Sequence, residues 1–212
     1  MISITASFDD GSIYDYRIAD LMDTHNIEST FYLPANWRKY LIQKGIEPMS
    51  EEDAHHVAER FVIGSHGVDH HLLTKVDANT AKREIFESRT ALQEMFNQPI
   101  KKFCYPRGYY NDRIKAWVKE AGYSSARTVA IGSLNPAQDP YETPTTVHVG
   151  YDRKEYNTDW LTYAETALAR AIEQSEKGMP SRYHFWGHGS ELQKYNQWDR
   201  FSKFLTMLKP YV

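Results

Sequence analysis

The sequence predicts a parallel α/β domain, and three observations predict it. Strand-like and helix-like segments alternate along nearly the whole chain, in six or seven units. Polar side chains cluster immediately after the strand-like segments, where the loops of an α/β barrel build a site. No Gly-rich phosphate fingerprint follows the first strand, which weakens a dinucleotide-binding version of the same architecture. On periodicity alone, a barrel and an open doubly wound sheet both fit. The length, 212 residues, suits one domain. A chain this long buries roughly 70% of its unfolded surface without disulfide or metal staples.

The elements follow from local patterning. Ile2–Phe8 alternates apolar and small polar residues and runs into an Asp9-Asp10-Gly11 turn. Tyr14–Thr24 carries Ile18, Leu21 and Met22 at helical spacing, and Ser29–Leu33 is a strand ended by Pro34. Ser50 starts a helix over Glu51–Arg60, whose first turn is acidic. Phe61–Ser65 is a short apolar strand. Thr80–Phe96 is the clearest amphipathic helix: Ile85, Leu92 and Phe96 line one stripe, with Lys82, Arg83, Glu84 and Glu87 expected to face water. Ile100–Tyr105 is a strand, Asp112–Ala121 a helix stopped at Gly122, and Tyr123–Thr128 another strand. Gly132–Thr146 reads as the one long loop. Thr145–Val149 and Tyr183–Trp186 are strand-like, and Asp159–Lys177 and Gln197–Leu208 are helices.

Composition narrows the function. With 41% apolar and 25% charged residues the chain is an ordinary globular protein, which excludes disorder, collagen and coiled coil. A net charge of −3 argues against a nucleic-acid partner. The single Cys104 excludes an intrachain disulfide framework and a multi-cysteine zinc site. No stretch approaches the ~18 apolar residues of a membrane span. The amino terminus lacks a basic and then apolar signal segment. The chain as given therefore reads as cytoplasmic, or as secreted if a signal has been removed. Aromatic residues make up 14%, enough for a stacking groove as well as for a packed core.

Four segments place chemistry at strand ends: Asp9 and Asp10, His66 and His70, Arg107, and His188. His66 and His70 are four apart, and neutral imidazoles suit zinc and similar divalent ions. Adjacent carboxylates repel unless a cation or donors offset the cost. One of them with two histidines makes a three-ligand site with open positions, leaving the other free as a base. His188, between a strand and a glycine turn, has the near-neutral pKa of a general acid, and Glu191 three residues on could orient it. Each feature also has a plain structural reading: a surface turn for the acidic pair, a solvent-facing His71, a packed rim histidine for His188. Their convergence on one face favours the site. Trp37, Tyr109 and Tyr110 lie in loops near these strand ends, placed to stack on a flat ligand, with core packing as the alternative for Trp37.

These residues resemble the polysaccharide deacetylases with a NodB-homology domain, carbohydrate esterase family four. Ser7-Phe8-Asp9-Asp10-Gly11 is similar to the family's Thr-Phe-Asp-Asp-Gly. His66–His70 matches His-(Ser/Thr)-x-x-His, with Gly67 departing, and Leu72-Leu73-Thr74 continues the likeness. Cys104-Tyr105-Pro106-Arg107-Gly108 lines up with Arg-x-Pro-(Tyr/Phe)-Gly, and Trp186-Gly187-His188 corresponds loosely to the terminal Leu-x-His motif. The match runs in order over nearly the whole chain, and the first two motifs together are its specific part. The resemblance implies a single-domain distorted (β/α)7 barrel over residues 1–212. It implies a divalent metal, usually zinc, on Asp10, His66 and His70. It further implies Asp9 as base, His188 as acid, the Arg107 backbone N–H as an oxyanion donor, and an N-acetylated oligo- or polysaccharide as substrate. Cys104 replaces an arginine that orients the base, and Arg107 or Arg127 is expected to supply that guanidinium. No Asp-Trp motif is evident, and Asp139 and Asp152 are weak candidates for the acid's partner. Two rival functions use the same residues: an amidase on a small non-sugar amide, and an inactive carbohydrate-binding relative. A purely structural barrel is the third alternative.

Overall fold

The computed structural model describes residues 2–212. Seven strands form one curled parallel sheet: β1 (Ile2–Asp9), β2 (Ser29–Leu33), β3 (Val62–Ser65), β4 (Lys102–Cys104), β5 (Ser125–Arg127), β6 (Val147–His148) and β7 (Ser181–Gly187). Their order is β5-β4-β3-β2-β1-β7-β6, and every ladder is parallel. A single bridge, Arg127 to Thr143, spans the seam beyond β5. The result is the distorted (β/α)7 barrel that the resemblance implies, open along one side.

Among the described residues, eight α-helices accompany the sheet: α1 (Ile13–Thr24), α2 (Trp37–Gln43), α3 (Glu51–Arg60), α4 (Ala78–Phe96), α5 (Asp112–Glu120), α6 (Trp160–Glu176), α7 (Gly189–Lys194) and α8 (Trp198–Leu208). Their starts have local causes. Ser50 and Asp53 close a reciprocal capping box on α3. Asp77 and Asp159 each accept two backbone N–H groups at the starts of α4 and α6. The short helices α2 and α7 lie where the sequence reads as loop; six or seven residues are too few to show a period.

The two faces of the sheet differ. Ile4, Ala6 and Phe8 of β1, Phe31 and Leu33 of β2, and Phe103 and Phe185 face outward into the buried core. There Phe8 meets Phe201 of α8 edge-on at 6.2 Å, and Phe185 meets Phe204 at 5.0 Å. The inward set is polar: Thr5 and Ser7 both hydrogen-bond His184, Lys102 reaches Thr30, and Arg127 reaches Asp9. Barrels of this kind usually fill their interior with branched apolar side chains. Here the apolar packing lies between sheet and helices, and the interior is left to polar groups.

Candidate active site

Four loops meet at the carboxyl ends of the strands around a cavity of about 380 Å³. Asp9, Asp10, His66, His70, Arg107 and His188 all border it, so the structure brings together every residue that the sequence reading put in a catalytic or metal-binding role.

The first loop leaves β1 at Asp9. Asp10 has φ +82° and Gly11 φ +81°. A Cβ on Gly11 would lie 2.7 Å from Leu33 and 3.0 Å from Trp37, so only glycine fits. Trp37 is thus a prop beneath the turn. It is 2% exposed and donates its indole N–H to the Met49 carbonyl at 3.2 Å. It offers no face to a ligand, which corrects its expected stacking role. Asp15 of α1 ties this loop to the last one, accepting from the N–H groups of Gly11 and Gly189.

The second loop carries His66 and His70 and is shaped by Glu84 of α4. That carboxylate accepts from the N–H groups of Val68 (2.9 Å) and Asp69 (3.0 Å) and pairs with His71 Nδ1 at 2.9 Å. Glu84 is fully buried, not on the water-facing stripe expected for it: loop 67–71 folds over that face of the helix. A Cβ on Gly67 would stand 2.7 Å from Glu84 Oε2, at φ +86°, which accounts for glycine where the family motif has Ser or Thr.

Asp10 Oδ1 lies 3.8 Å from His66 Nε2 and 3.5 Å from His70 Nε2. His66 Nδ1 is engaged by the Cys104 carbonyl at 2.7 Å, which fixes the ring and turns Nε2 toward Asp10. His70 stacks on Tyr40 at 4.5 Å. Burial and the neighbouring His66 push His70 down to about 2, so the ring is a neutral imidazole, the form that binds metal. Burial also raises Asp10.

Among the described residues, four groups of side chains have the composition of a metal site. Asp69, His71 and Glu84 are spent on one another, on the loop backbone and on Arg83. Glu191 is taken by His148 and His188. In the group of Asp9, His66 and Cys104, Asp9 is paired with Arg127, and burial holds the Cys104 thiol protonated. In the group of Asp10, His66 and His70 a buried carboxylate oxygen, Asp10 Oδ1, lacks a hydrogen-bond partner while two imidazole nitrogens, one from each histidine, face it. A tetrahedral ion with bonds of about 2.1 Å separates its ligands by about 3.4 Å. This group fits a divalent ion.

Asp9 is held from below. One guanidinium nitrogen of Arg127 pairs with its Oδ2, and Cys104 Sγ lies 3.8 Å from the same oxygen. Burial alone would raise Asp9, but the charges of Arg127, His66 and His188 outweigh it and hold the carboxyl below its usual range. Arg127 is itself sandwiched between the rings of Tyr32 and Trp186, 5.3 and 4.6 Å from their centres. The ladder pairs Cys104 directly with Arg127, so a guanidinium from β5 reaches the space beside Cys104 on β4. Of the two arginines left open by the sequence, Arg127 makes the contact; Arg107 stays at the rim, at φ +54°.

His188 Nε2 lies 3.8 Å from Asp10 Oδ2, and its Nδ1 lies 2.7 Å from Glu191 Oε2. Burial would lower this imidazole, but the Glu191 carboxylate overrides it and pushes it up to about 10. His148 of β6, which the sequence reading passed over, shares Glu191 at 2.8 Å and stacks on Trp186. Asp139 and Asp152 play no part: the first pairs with Lys115, the second accepts from the Trp160 N–H. Tyr109 is 52% exposed beside the cavity mouth loop, whereas Tyr110 is half-buried, stacked on Tyr105 at 4.6 Å. Tyr40, Tyr105 and Trp186 are the aromatic residues that border the cavity.

Fold and site together define a (β/α)7 barrel with a two-histidine, one-carboxylate corner at its loop face. The polysaccharide deacetylase family profile matches residues 2–126, and the chain belongs to that family. Among its relatives is the peptidoglycan-N-acetylglucosamine deacetylase of Bacillus cereus, 24% identical over 127 residues, 58% of this chain and 54% of that protein. The chain spans about half the length of the curated relatives it matches, 48% and 54%. A Mycobacterium smegmatis structure described as a polysaccharide deacetylase shares the fold, with TM-score 0.72 and 13% identity over 99% of this chain and 84% of that one. So does a Bacillus anthracis pseudoenzyme of carbohydrate esterase family four, with TM-score 0.62 and 14% identity over 98% of this chain and 60% of that one. No helix among the described residues is long and apolar enough to cross a membrane.

Proposed function

We propose that this chain hydrolyses N-acetyl groups on an N-acetylated glycan, releasing acetate and a free amine, and that residues 1–212 form one catalytic domain. One observation carries the reading. A partnerless carboxylate oxygen, Asp9 Oδ1, and the imidazole of His188, held through Nδ1 by Glu191, border the same cavity as the Asp10–His66–His70 corner.

Asp10, His66 and His70 would hold the divalent ion, and their oxygen and nitrogen donors suit zinc. Such an ion, when bound, polarises the acetamide carbonyl and makes water a better nucleophile at neutral pH. Asp9, kept ionised by Arg127, takes the proton of the attacking water on Oδ1. The Arg107 N–H donates to the developing oxyanion. The C–N bond breaks as His188 gives its Nε2 proton to the departing nitrogen, while Glu191 fixes Nδ1 and keeps the ring charged until then. Tyr109, exposed two residues after Arg107, would stack on a sugar ring outside the cavity, which Tyr40, Tyr105 and Trp186 border. Peptidoglycan, the substrate in the name of the Bacillus cereus relative, belongs among the first glycans to test.

The inactive, binding-only alternative was motivated by Cys104; the Arg127 guanidinium at Asp9 answers that departure. The test is acetate release from a panel running from chitooligosaccharides to peptidoglycan, using zinc-loaded protein, a chelated control and Asp9→Asn. Zinc-dependent release that Asp9→Asn abolishes is the expected result. A zinc-bound chain that releases no acetate from any glycan, but does hydrolyse small amides, overturns it in favour of the amidase.

A further inference from the structure

A second cavity, of about 190 Å³, lies inside the barrel at the amino-terminal ends of the strands, away from the loop face. Its charges do not balance. Lys102 of β4 reaches only the Thr30 hydroxyl, at 3.1 Å, and Arg182 of β7 only the Pro144 carbonyl, at 2.8 Å. Neither forms an ion pair among the described residues. Glu28, at the rim, is the only carboxylate lining the cavity, and it is solvent-exposed. His184 spends both ring nitrogens on Thr5 and Ser7. Arg127 is the third cation on the wall. Its far end is taken by Asp9, yet its Nε is buried with no partner.

Two half-buried cations facing one space repel each other and have given up hydration, a costly arrangement unless an anion lies between them. Burial lowers both Lys102 and Arg182; Glu28 offsets part of this at Lys102 and Tyr32 at Arg182, while Arg182 adds to it at Lys102 and Arg127 at Arg182. Cations from two strands, Lys102 of β4 and Arg182 of β7, border the space, with Arg127 of β5 in its wall, and an ion with several acceptor oxygens can bridge groups on separate strands. The volume is below the roughly 300–1,000 Å³ of sites for drug-sized ligands and suits a small ion.

We propose that the cavity walled by Lys102, Arg182 and Arg127 is a binding site for a small tetrahedral oxyanion of the phosphate or sulfate class. It lies toward the opposite end of the strands from the loop-face site, with Arg127 common to the walls of the cavity and the support of Asp9.

Titration calorimetry of the full chain with sodium sulfate, inorganic phosphate and sodium acetate tests this, on the parent and on Lys102→Gln and Arg182→Gln. The parent is expected to show one saturable sulfate site, with phosphate comparable and acetate weaker. Each substitution removes a charge-assisted hydrogen bond and is expected to weaken sulfate by about tenfold or more. Thermal unfolding without sulfate separates this from misfolding, because removing one of two repelling cations leaves the parent's midpoint unchanged or raised. The absence of saturable sulfate heat in the parent, or sulfate affinity unchanged in both variants, overturns the proposal and leaves a water-filled cavity.

Discussion

The loop-face site is built from two regions that solve different problems. The part before β5 supplies Asp9, Asp10, His66 and His70 from short turns, and its charges are arranged to receive a cation. The part from β5 onward supplies Arg127, His148, His188 and Glu191, and its charges are already paired within the protein. The contrast extends to backbone geometry. Seven described residues other than glycine have positive φ: four are asparagines, which tolerate it, and the others are Asp10, His70 and Arg107. All three border the loop-face cavity and belong to the earlier region. Strain gathered at one place marks a site held for function rather than for stability. The earlier region places atoms by bending the backbone; the later one holds protons by pairing side chains.

Substitutions can break this division. The largest effect is expected from Asp9 and His66. Asp9→Asn should retain zinc while turnover falls about 10²–10⁴-fold, the usual worth of a general base, whereas His66→Ala should lose the metal itself. Metal analysis beside acetate release checks both, and zinc loss from Asp9→Asn would mean that Asp9 and Asp10 have exchanged roles. Next comes Arg127→Met, which leaves Asp9 buried and unpaired at a cost of about 3–5 kcal/mol, read by urea unfolding. With the guanidinium gone Asp9 rises, so the acidic limb of the turnover profile should move to higher pH. Returning the charge from the neighbouring strand, in the double variant Cys104→Arg, Arg127→Cys, should bring that limb back.

Gly67→Ala drives a Cβ into Glu84 at a left-handed position and should cost about 1–3 kcal/mol of stability. Zinc affinity should fall with it, because the same loop carries His66 and His70. Glu191→Gln tests the later region alone. A group whose pKa is raised stays protonated until pH passes that raised value, so lowering His188 from about 10 moves the alkaline loss of turnover to lower pH. At a fixed alkaline pH, each unit of that movement is about a tenfold loss. Zinc content should not change. The smallest effect is expected at Tyr109→Ala: a rise in KM of about threefold on an oligosaccharide, with kcat held, as loss of one partly exposed stacking face would give.

The same division governs what the sequence disclosed. Asp9, Asp10, His66 and His70 lie in compact motifs directly after strands, so spacing alone put them together. Glu84 was misplaced because helical periodicity reports a helix's own stripe and knows nothing of a loop folding over the opposite face. Trp37 was misplaced because α2 is too short to register a period. The partner of His188 is a matter of tertiary contact: Glu191 was visible three residues away, but nothing in the chain's order distinguished it from a solvated side chain, and His148 had no local mark at all. The barrel's curled, parallel form was legible from the alternation of elements together with the resemblance; its polar interior was legible only in part, in the alternating Thr5, Ser7 and Asp9 of β1.

Cys104 and Arg127 face each other across the β4–β5 ladder, and Arg127 is the first residue beyond the stretch that matches the family profile. A guanidinium can therefore leave one position in the chain and return to the same point in space from the rung beside it. Relatives set aside as dead because one column has lost its arginine are worth reading across the rung before they are counted as lost.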